Sequence, residues 1–486
     1  MVSLTPRQWF WGALAATLAF RFWLGAALPI TGDEAYFAIW GRRPDLGYYD
    51  HPPMVGWMLA PLVALSNAEW WLRLPSILLP AALALLVRRA LTAWFGRDED
   101  TADLAGLAVL LVPMNVWNVL VTTDTPLALF SVASLLAFAR QRFLLAGVLL
   151  GLAFLSKYFA VLLGLAYLAW AIAARRPAAF GLAFLGALPF GLVNLYWNWQ
   201  ACWCNVMFNA INRHEGAELA GATLVLFGIS LAYLAAPLLW FAWKGRERLR
   251  DPALAALLYA WLVPLAVFLL LSPVKRIGLH WLMSFIPALI MTVAIALERR
   301  ALVVTLRWFG AFAVLHAAAL IVLLALPLDT WKGNRLYPRL VLLFDAPAVL
   351  QALGPQLARY RLAAEGYSLA ATLTHHAGRN VPVFGAGSSH ARHDDIVTDW
   401  RRHDGRDFLI LRRDPPALDG YRPYFREVEA LAFEARGARF HAVLGRGLDY
   451  AAYRAGVLEV VRKRWYRIPS WLPAGGCYFF ERYGFR

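Results

Sequence analysis

Residues 253–271 read ALAALLYAWLVPLAVFLLL, nineteen positions without one charged side chain. A helix rises about 1.5 Å per residue, so a run of this length crosses the ~30 Å hydrocarbon core of a bilayer. No water reaches such a segment, and a helix is the form that closes all of its own backbone hydrogen bonds. Outward from this stretch the pattern recurs. About eleven segments qualify, over roughly 9–30, 71–91, 102–121, 126–140, 143–157, 158–174, 178–199, 223–243, 253–271, 281–297 and 301–327. The fourth and fifth are short. Composition agrees: the 486 residues are 60% hydrophobic and 16% charged, with a mean hydropathy of +0.53. Soluble domains run at ~45–50% apolar and ~25% charged. A soluble enzyme, a disordered chain and, with only 3 cysteines, a disulfide scaffold are all excluded. The expected class is an all-α polytopic membrane protein.

Lys and Arg number 47 against 31 Asp and Glu, a net charge of +16. In a membrane chain such charge fixes topology before it suggests nucleic acid. Arg88-Arg89, Arg97, Arg140, Arg142, Arg175-Arg176, the run Lys244 to Arg248, and Arg299-Arg300 fall in alternate loops. Positive charge in short loops marks the cytoplasmic side. The N-terminus with Arg7 is then cytoplasmic, and an odd helix count puts everything after about residue 328 outside. The first span shows no small-residue cleavage site and is expected to persist as a helix. Two domains follow: 1–328, transmembrane, with an external loop over 31–70, and 329–486, extracytoplasmic. In the tail a helical pattern near 347–376 precedes strand-like runs at Val381–Phe384, Phe408–Leu411 and Cys477–Phe480, which predicts a small α/β domain. Its arginines suit anionic lipid or phosphorylated glycan as well as plain solvent. Cys202, Cys204 and Cys477 all fall outside. A bond from Cys477 to one of the other two is open in an oxidising compartment, with free or buried thiols the more ordinary expectation.

The external loops carry the chemistry. The first begins Thr31-Gly32-Asp33-Glu34-Ala35-Tyr36, where the first helix leaves the bilayer, and continues through Tyr48-Tyr49-Asp50-His51-Pro52-Pro53. An Asp-Glu pair at a helix head is often a solvated cap. Here Asp33 precedes an amphipathic stretch (Tyr36, Phe37, Ile39, Trp40) that suits the membrane interface, where a lipid headgroup arrives. Asp124 lies in a second external turn, Val121-Thr122-Thr123-Asp124-Thr125-Pro126. An aspartate near the bilayer costs a few kcal/mol and calls for a partner or a task. Asp124 or Thr125 ahead of Pro126 also suits a helix cap. Lys157, Lys275, Arg276 and His280 stand on the same face, against the positive-inside trend, and Lys157 also suits snorkelling to the headgroups. Cations with two acids are what transfer from a lipid phosphate needs: charge to hold the departing phosphate and a base for the acceptor hydroxyl. The chain holds no P-loop, no His-Glu-x-x-His and no Gly-x-Ser-x-Gly.

Taken in order, Thr31–Tyr36, Tyr49–Pro53, Arg73-Leu74-Pro75-Ser76, Thr123–Pro126, Leu155–Tyr158 and Lys275-Arg276 to His280-Trp281 resemble the GT-C class of membrane glycosyltransferases. The nearest groups in resemblance are bacterial relatives of dolichyl-phosphate-mannose protein mannosyltransferase and of the aminoarabinose lipid A transferase. The resemblance covers about residues 20–290, and Tyr360-Arg361 to Gly366-Tyr367 also look family-like. It implies a sugar moved from a polyprenyl-phosphate donor to an acceptor hydroxyl outside the cytoplasm, with inversion. The acceptor is lipid A, another glycan or glycolipid, or a protein. By position it implies catalytic roles for Asp33, as base, and Asp124, with Glu34, Tyr36, His51, Lys157, Lys275, Arg276 and His280 binding substrate. The lipid A branch has Lys before its Pro-Pro where this chain has His51. Asp50 falls where that branch has a metal-associated glutamate, so Asp50, His51 and His214 are the candidates for a divalent metal, although none is required. The implied place is a bacterial inner membrane, the implied partners the donor and membrane lipids. A transporter or flippase of lipid-linked glycans is the rival class; such proteins tend to put ionisable groups at mid-depth and to repeat their halves.

Overall fold

The computed structural model describes residues 4–212 and 221–485. By contact the chain divides into two compact units, one of residues 1–27, 66–193 and 216–325, the other of 28–65, 194–215 and 326–486. Most of the loop expected over 31–70, residues 28–65, therefore groups with the tail and not with the helices on either side of it.

Among the described residues, six helices are long and apolar enough to cross a membrane: Pro6–Ala27, Glu69–Trp94, Pro177–Gln200, Gly221–Lys244, Pro252–Leu271 and Arg299–Ala325. Four further expected spans are realised as shorter apolar helices, Asp124–Ala139, Phe143–Ser156, Ala160–Ala173 and Ile286–Ala296. The span expected over 102–121 breaks into Glu99–Leu110 and Pro113–Trp117. Pro113 has no N–H to give to an uninterrupted helix and instead starts a new one. Between Phe143–Ser156 and the next helix, Lys157 turns extended, with φ −163°.

The first unit packs an apolar core through Leu110, Leu234, Leu257, Ile290 and Phe309. Its buried charges are compensated. The Arg21 guanidinium donates to the backbone carbonyls of Ile77 at 3.0 Å and Asn118 at 2.9 Å, and to those of Ser76 and Asn115. Asn115 and Asn118 belong to the broken stretch, where the carbonyls released by the helix ends find a donor. Asp103, fully buried, pairs with Arg88. At the surface, half-exposed Arg299 reaches Asp98 at 2.5 Å and Asp100 at 3.2 Å.

The second unit is built on a four-stranded sheet of β1 (Arg361–Ala364), β2 (Phe408–Arg412), β3 (Phe425–Ala435) and β4 (Ala438–Leu448), in the order β1-β2-β4-β3. β1 and β2 are parallel, and the other pairings are antiparallel. β3 and β4 form a hairpin through Arg436 and Gly437, both at positive φ (54° and 71°), the backbone a two-residue turn needs to match strand twist. The tail is thus α/β, with three corrections. β1 interrupts the stretch expected to be helical over 347–376. The expected strand at Val381–Phe384 shrinks to one parallel bridge, Val383 to Ala364. The expected strand at Cys477–Phe480 enters a helix, Tyr478–Tyr483, whose buried Phe479 and Tyr483 stand one turn apart; a four-residue apolar run cannot tell the two forms apart.

The expectation of free thiols is also corrected. Cys202 and Cys477 form a disulfide, and Cys204 is the free, buried cysteine. Cys202 and Trp203 take φ values of 58° and 54°, the left-handed region. Hydrogen bonds from Cys202 N to Gly476 O (3.0 Å) and from the Trp203 indole to Pro473 O (2.9 Å) hold that turn in place.

Candidate functional site

In the second unit the helix Gly32–Arg42 starts with a complete capping box. Thr31 Oγ1 accepts from Glu34 N at 3.3 Å, and the Glu34 carboxylate accepts from Thr31 N at 3.0 Å. Glu34 is 2% exposed, so its carboxylate serves the helix head. Asp33, one residue earlier, is exposed, and its Oδ1 accepts from the Tyr367 hydroxyl at 3.0 Å. Tyr367 opens the helix that follows β1. The two helices approach closely at Gly32, where a Cβ would meet the Ser368 side chain and come within 2.9 Å of its Cα. Only glycine fits there, and that fit brings Asp33 to Tyr367.

Behind Asp33 lies a buried polar chain. The Tyr36 hydroxyl donates to Asp50 Oδ1 at 3.1 Å and accepts from His393 N at 3.1 Å. Burial, helped by the nearby Asp33 charge, pushes the Asp50 carboxyl up to about 7. Burial with the Arg43 charge lowers His393 to about 3, so its imidazole is neutral. Burial and the Asp50 charge raise Tyr36 well above its ordinary value. Loop 43–53 is fixed by Tyr48 stacked flat on Trp40 at 4.4 Å and by Asn205 donating to the carbonyls of Tyr48 and Tyr49. His51 is half-buried against Phe37 and Trp40, at ring distances of 6.3 and 6.0 Å.

In the first unit Asp124 is the first residue of its helix, and it does not act as a cap. Both of its oxygens accept from Lys157 Nζ, at 2.8 Å each. The two side chains are only 12% and 11% exposed. Lys157 therefore points inward to an ion pair, not outward to headgroups, with its ammonium 5.1 Å from the Phe159 ring. His280 Nε2 stands 3.8 Å from Asp124 Oδ2. Asp124, Asn118, Thr122 and His280 edge a cavity of about 30 Å³, enough for one water. In the His280 loop, Lys275 is half-buried and Arg276 exposed. Beyond Lys157, the helices Phe143–Ser156, Ala160–Ala173 and Pro177–Gln200 enclose an apolar groove of about 290 Å³ lined by Phe154, Val161, Leu165 and Leu188.

The expected residues thus form two groups, each within its own unit: Asp33, Glu34, Tyr36, Asp50 and His51 in one, Asp124, Lys157 and His280 in the other, with Lys275 and Arg276 in the His280 loop. Among the described residues, no three His, Cys, Asp or Glu side chains gather as a metal set. The Asp50 carboxylate is engaged by Tyr36, and His214 lies outside the described residues. Tyr367 and His393 were not among the expected site residues. Tyr367 stands in a stretch with a family-like look, whereas His393 contributes a backbone N–H, which no side-chain pattern announces.

Residues 50–197 match the family described as dolichyl-phosphate-mannose-protein mannosyltransferase. The lipid A galacturonosyltransferase RgtD of Rhizobium johnstonii is 29% identical over 289 residues, 52% of this chain and 58% of the relative. The chain thus spans little more than half the length of that curated relative. ArnT from Cupriavidus metallidurans bound to undecaprenyl phosphate superposes with a TM-score of 0.61 at 18% identity, covering 90% of this chain and 98% of that one. The apo form of the same protein gives 0.58 at 19% identity, over 90% and 97%. The chain has the ArnT-like GT-C fold with a small C-terminal α/β domain, and the family resemblance read from its motifs is borne out.

Proposed function

We propose that this protein is a membrane glycosyltransferase that moves a sugar from a polyprenyl-phosphate donor to an acceptor hydroxyl on the extracytoplasmic side. The observation that carries the reading is Asp33: an exposed carboxylate, set by a capped helix and aligned by a neutral hydroxyl, with no ion pair to a basic side chain among the described residues. It is available to take a proton. The acceptor oxygen attacks the anomeric carbon, the bond from that carbon to the phosphate oxygen breaks, and the phosphate leaves with the electron pair. Asp33 receives the hydroxyl proton, and attack opposite the leaving group inverts the centre.

Asp124 takes a different part from the catalytic one its position in the motif implied. Both of its oxygens are already engaged by the Lys157 ammonium. We assign it to hold Lys157, so that Lys157, with Lys275 and Arg276, meets the donor phosphate. The apolar groove beyond Lys157 suits a polyprenyl chain. Glu34 and Tyr36 act through Asp33 and Asp50 as positioning residues, and His51 and His280 flank the substrate. No metal is required, because the leaving group is already a phosphate. The Cys202–Cys477 disulfide supports an oxidising compartment for the tail and a periplasmic orientation.

The test is Asp33→Asn in purified protein supplied with donor and acceptor. Folding and membrane insertion are expected to persist while transfer falls by about 10²–10⁴-fold, the usual cost of a lost general base. Near-normal turnover would remove Asp33 from the mechanism.

A further inference from the structure

We infer that Arg21, in the first helix, is a positioning residue: it clamps two interrupted helices, and that clamp sets Asp124 and, through Asp124, the Lys157 ammonium. The clamp is read from contacts within the first unit. Only the meeting of Lys157 with a donor phosphate rests on the proposed function.

Arg21 lies in Pro6–Ala27, a helix apolar enough to cross a membrane, and is 1% exposed. A charge so placed is costly and marks a task. Its partners are carbonyls that broken helices set free. Pro80 stands inside Leu74–Trp94, and a proline offers no N–H to the carbonyl four residues back, here that of Ser76. Arg21 Nη2 takes that carbonyl, and Nε takes the neighbouring one of Ile77 at 3.0 Å. The short helix Pro113–Trp117 likewise ends with carbonyls that have no helical partner. Nη1 takes that of Asn115 and reaches Val116 at 3.5 Å, while Nη2 also takes Asn118 at 2.9 Å. The five N–H groups of one guanidinium are thus spread over both breaks. A lysine, with its donors on a single nitrogen, cannot span them.

Satisfied carbonyls alone would make Arg21 a packing device. What carries the inference further is Ser76. Its carbonyl is held by Arg21, and its hydroxyl lies 2.9 Å from that of Thr125, both side chains being buried. Thr125 directly follows Asp124. On the other flank Asn118, also held by Arg21, leads through 119–123 into the helix that Asp124 opens. Arg21, Asn118, Asp124 and His280 line the same cavity of about 30 Å³. Asp124 then grips Lys157 with both oxygens. The first turn of that helix is therefore tied from two directions to one buried guanidinium, and the place of the ammonium follows from it.

The test uses the full chain in nanodiscs of neutral phosphatidylcholine. The probe is a polyprenyl phosphate, compared with the polyprenol that lacks the phosphate. Arg21→Lys is expected to weaken binding of the phosphate by about tenfold, the worth of one charge-assisted hydrogen bond. Polyprenol binding should stay as in wild type. In an Asp124→Asn/Lys157→Met background no ion pair is left to position, so adding Arg21→Lys should change phosphate affinity by less than about twofold. Wild-type affinity of Arg21→Lys for the phosphate overturns the proposal. So does an equal loss for both probes, which is what general loosening of the helices would give. A full further loss in the pair-free background overturns it as well, since Arg21 would then act without Lys157. Should Arg21→Lys fail to fold, Thr125→Val, which keeps Arg21 and cuts only the contact with Ser76, decides by the same comparison of probes. A wild-type protein that binds the phosphate in this Arg21-dependent way, yet transfers no sugar, would sink the transferase reading and leave the clamp standing. Transfer by wild type with phosphate binding indifferent to Arg21 would do the reverse.

Discussion

Replacing Lys157 with Met strips the Asp124 carboxylate of both short contacts, each 2.8 Å, while keeping most of the side-chain volume. Because the two side chains are 11% and 12% exposed, water cannot fully replace the ammonium. Breaking one half of such a pair costs roughly 3–5 kcal/mol, most of it the penalty of a stranded charge. The cation's approach to Phe159 adds at most about 1 kcal/mol, since the methionine keeps an aromatic contact. Asp124→Asn strands the lysine instead and belongs in the same range. With both changes no charge is left unpaired, so the double variant should lose only about 1–2 kcal/mol, the ordinary cost of a weaker polar contact. The cycle therefore predicts strongly non-additive losses, with a coupling of several kcal/mol. Unfolding in detergent, followed by intrinsic tryptophan fluorescence for wild type and the three variants, measures it. A lysine that merely snorkels would give small, additive effects, and additivity within about 0.5 kcal/mol would refute the inward pair.

Three further outcomes follow from the second unit. Asp50 has a carboxyl pKa raised from 3.8 to about 7, so the native state holds its proton more tightly than the unfolded chain. Its contribution is complete below about pH 4 and is lost as pH rises through 7, worth at most roughly 4 kcal/mol; Asp50→Asn should flatten that decline in a thermal-shift series, and an unchanged slope counts against it. Gly32→Ala places a methyl against Ser368, and overpacking of this kind costs about 1–3 kcal/mol. It should also lower transfer by displacing Asp33 from Tyr367, and a fully active, fully stable Gly32→Ala protein would contradict the close approach. The Cys202–Cys477 bond closes a separation of 275 residues, worth up to roughly 5 kcal/mol in the chain-entropy account. Cys477→Ser should melt well below wild type and show no further drop with reductant; equal melting of the two proteins would argue against the bond.

Apolar length and alternating basic loops made the membrane class readable, because bilayer thickness acts on every span alike. Span ends were less readable where one residue breaks a run: Pro113 splits one helix, and Lys157 ends another by turning extended. The β3–β4 hairpin was hidden by its composition. Glu427, Glu429, Ala430, Ala432 and Glu434 favour helix by intrinsic propensity, and only pairing with β4 overrides it. Asp33, Asp124 and Lys157 could be picked out because charge near a bilayer is costly and therefore conspicuous. Their partners could not. Tyr367 lies 334 residues from Asp33 in the chain, and no local pattern reports so distant a hydrogen bond. That Lys157 binds Asp124 across 33 residues was equally silent, which is why snorkelling stayed open.

The contrast between the two aspartates bears on their chemistry. Both stand in the first turn of a helix, and in sequence both are acids at a bilayer edge. Their partners differ in kind. Asp33 meets a phenol hydroxyl, which orients the carboxylate without pairing its charge. Asp124 meets an ammonium on both oxygens, so its charge is taken up in holding Lys157. One carboxylate therefore has a cation to hold in place, and the other has none among the described residues. On the proposed reaction this assigns the proton to Asp33 and a fixed electrostatic part to Asp124. It also predicts different signatures: Asp33→Asn should lower kcat with little effect on donor binding, whereas Asp124→Asn should weaken donor binding by freeing Lys157 from its set position. If Asp124→Asn instead lowers kcat alone, the division of roles is wrong.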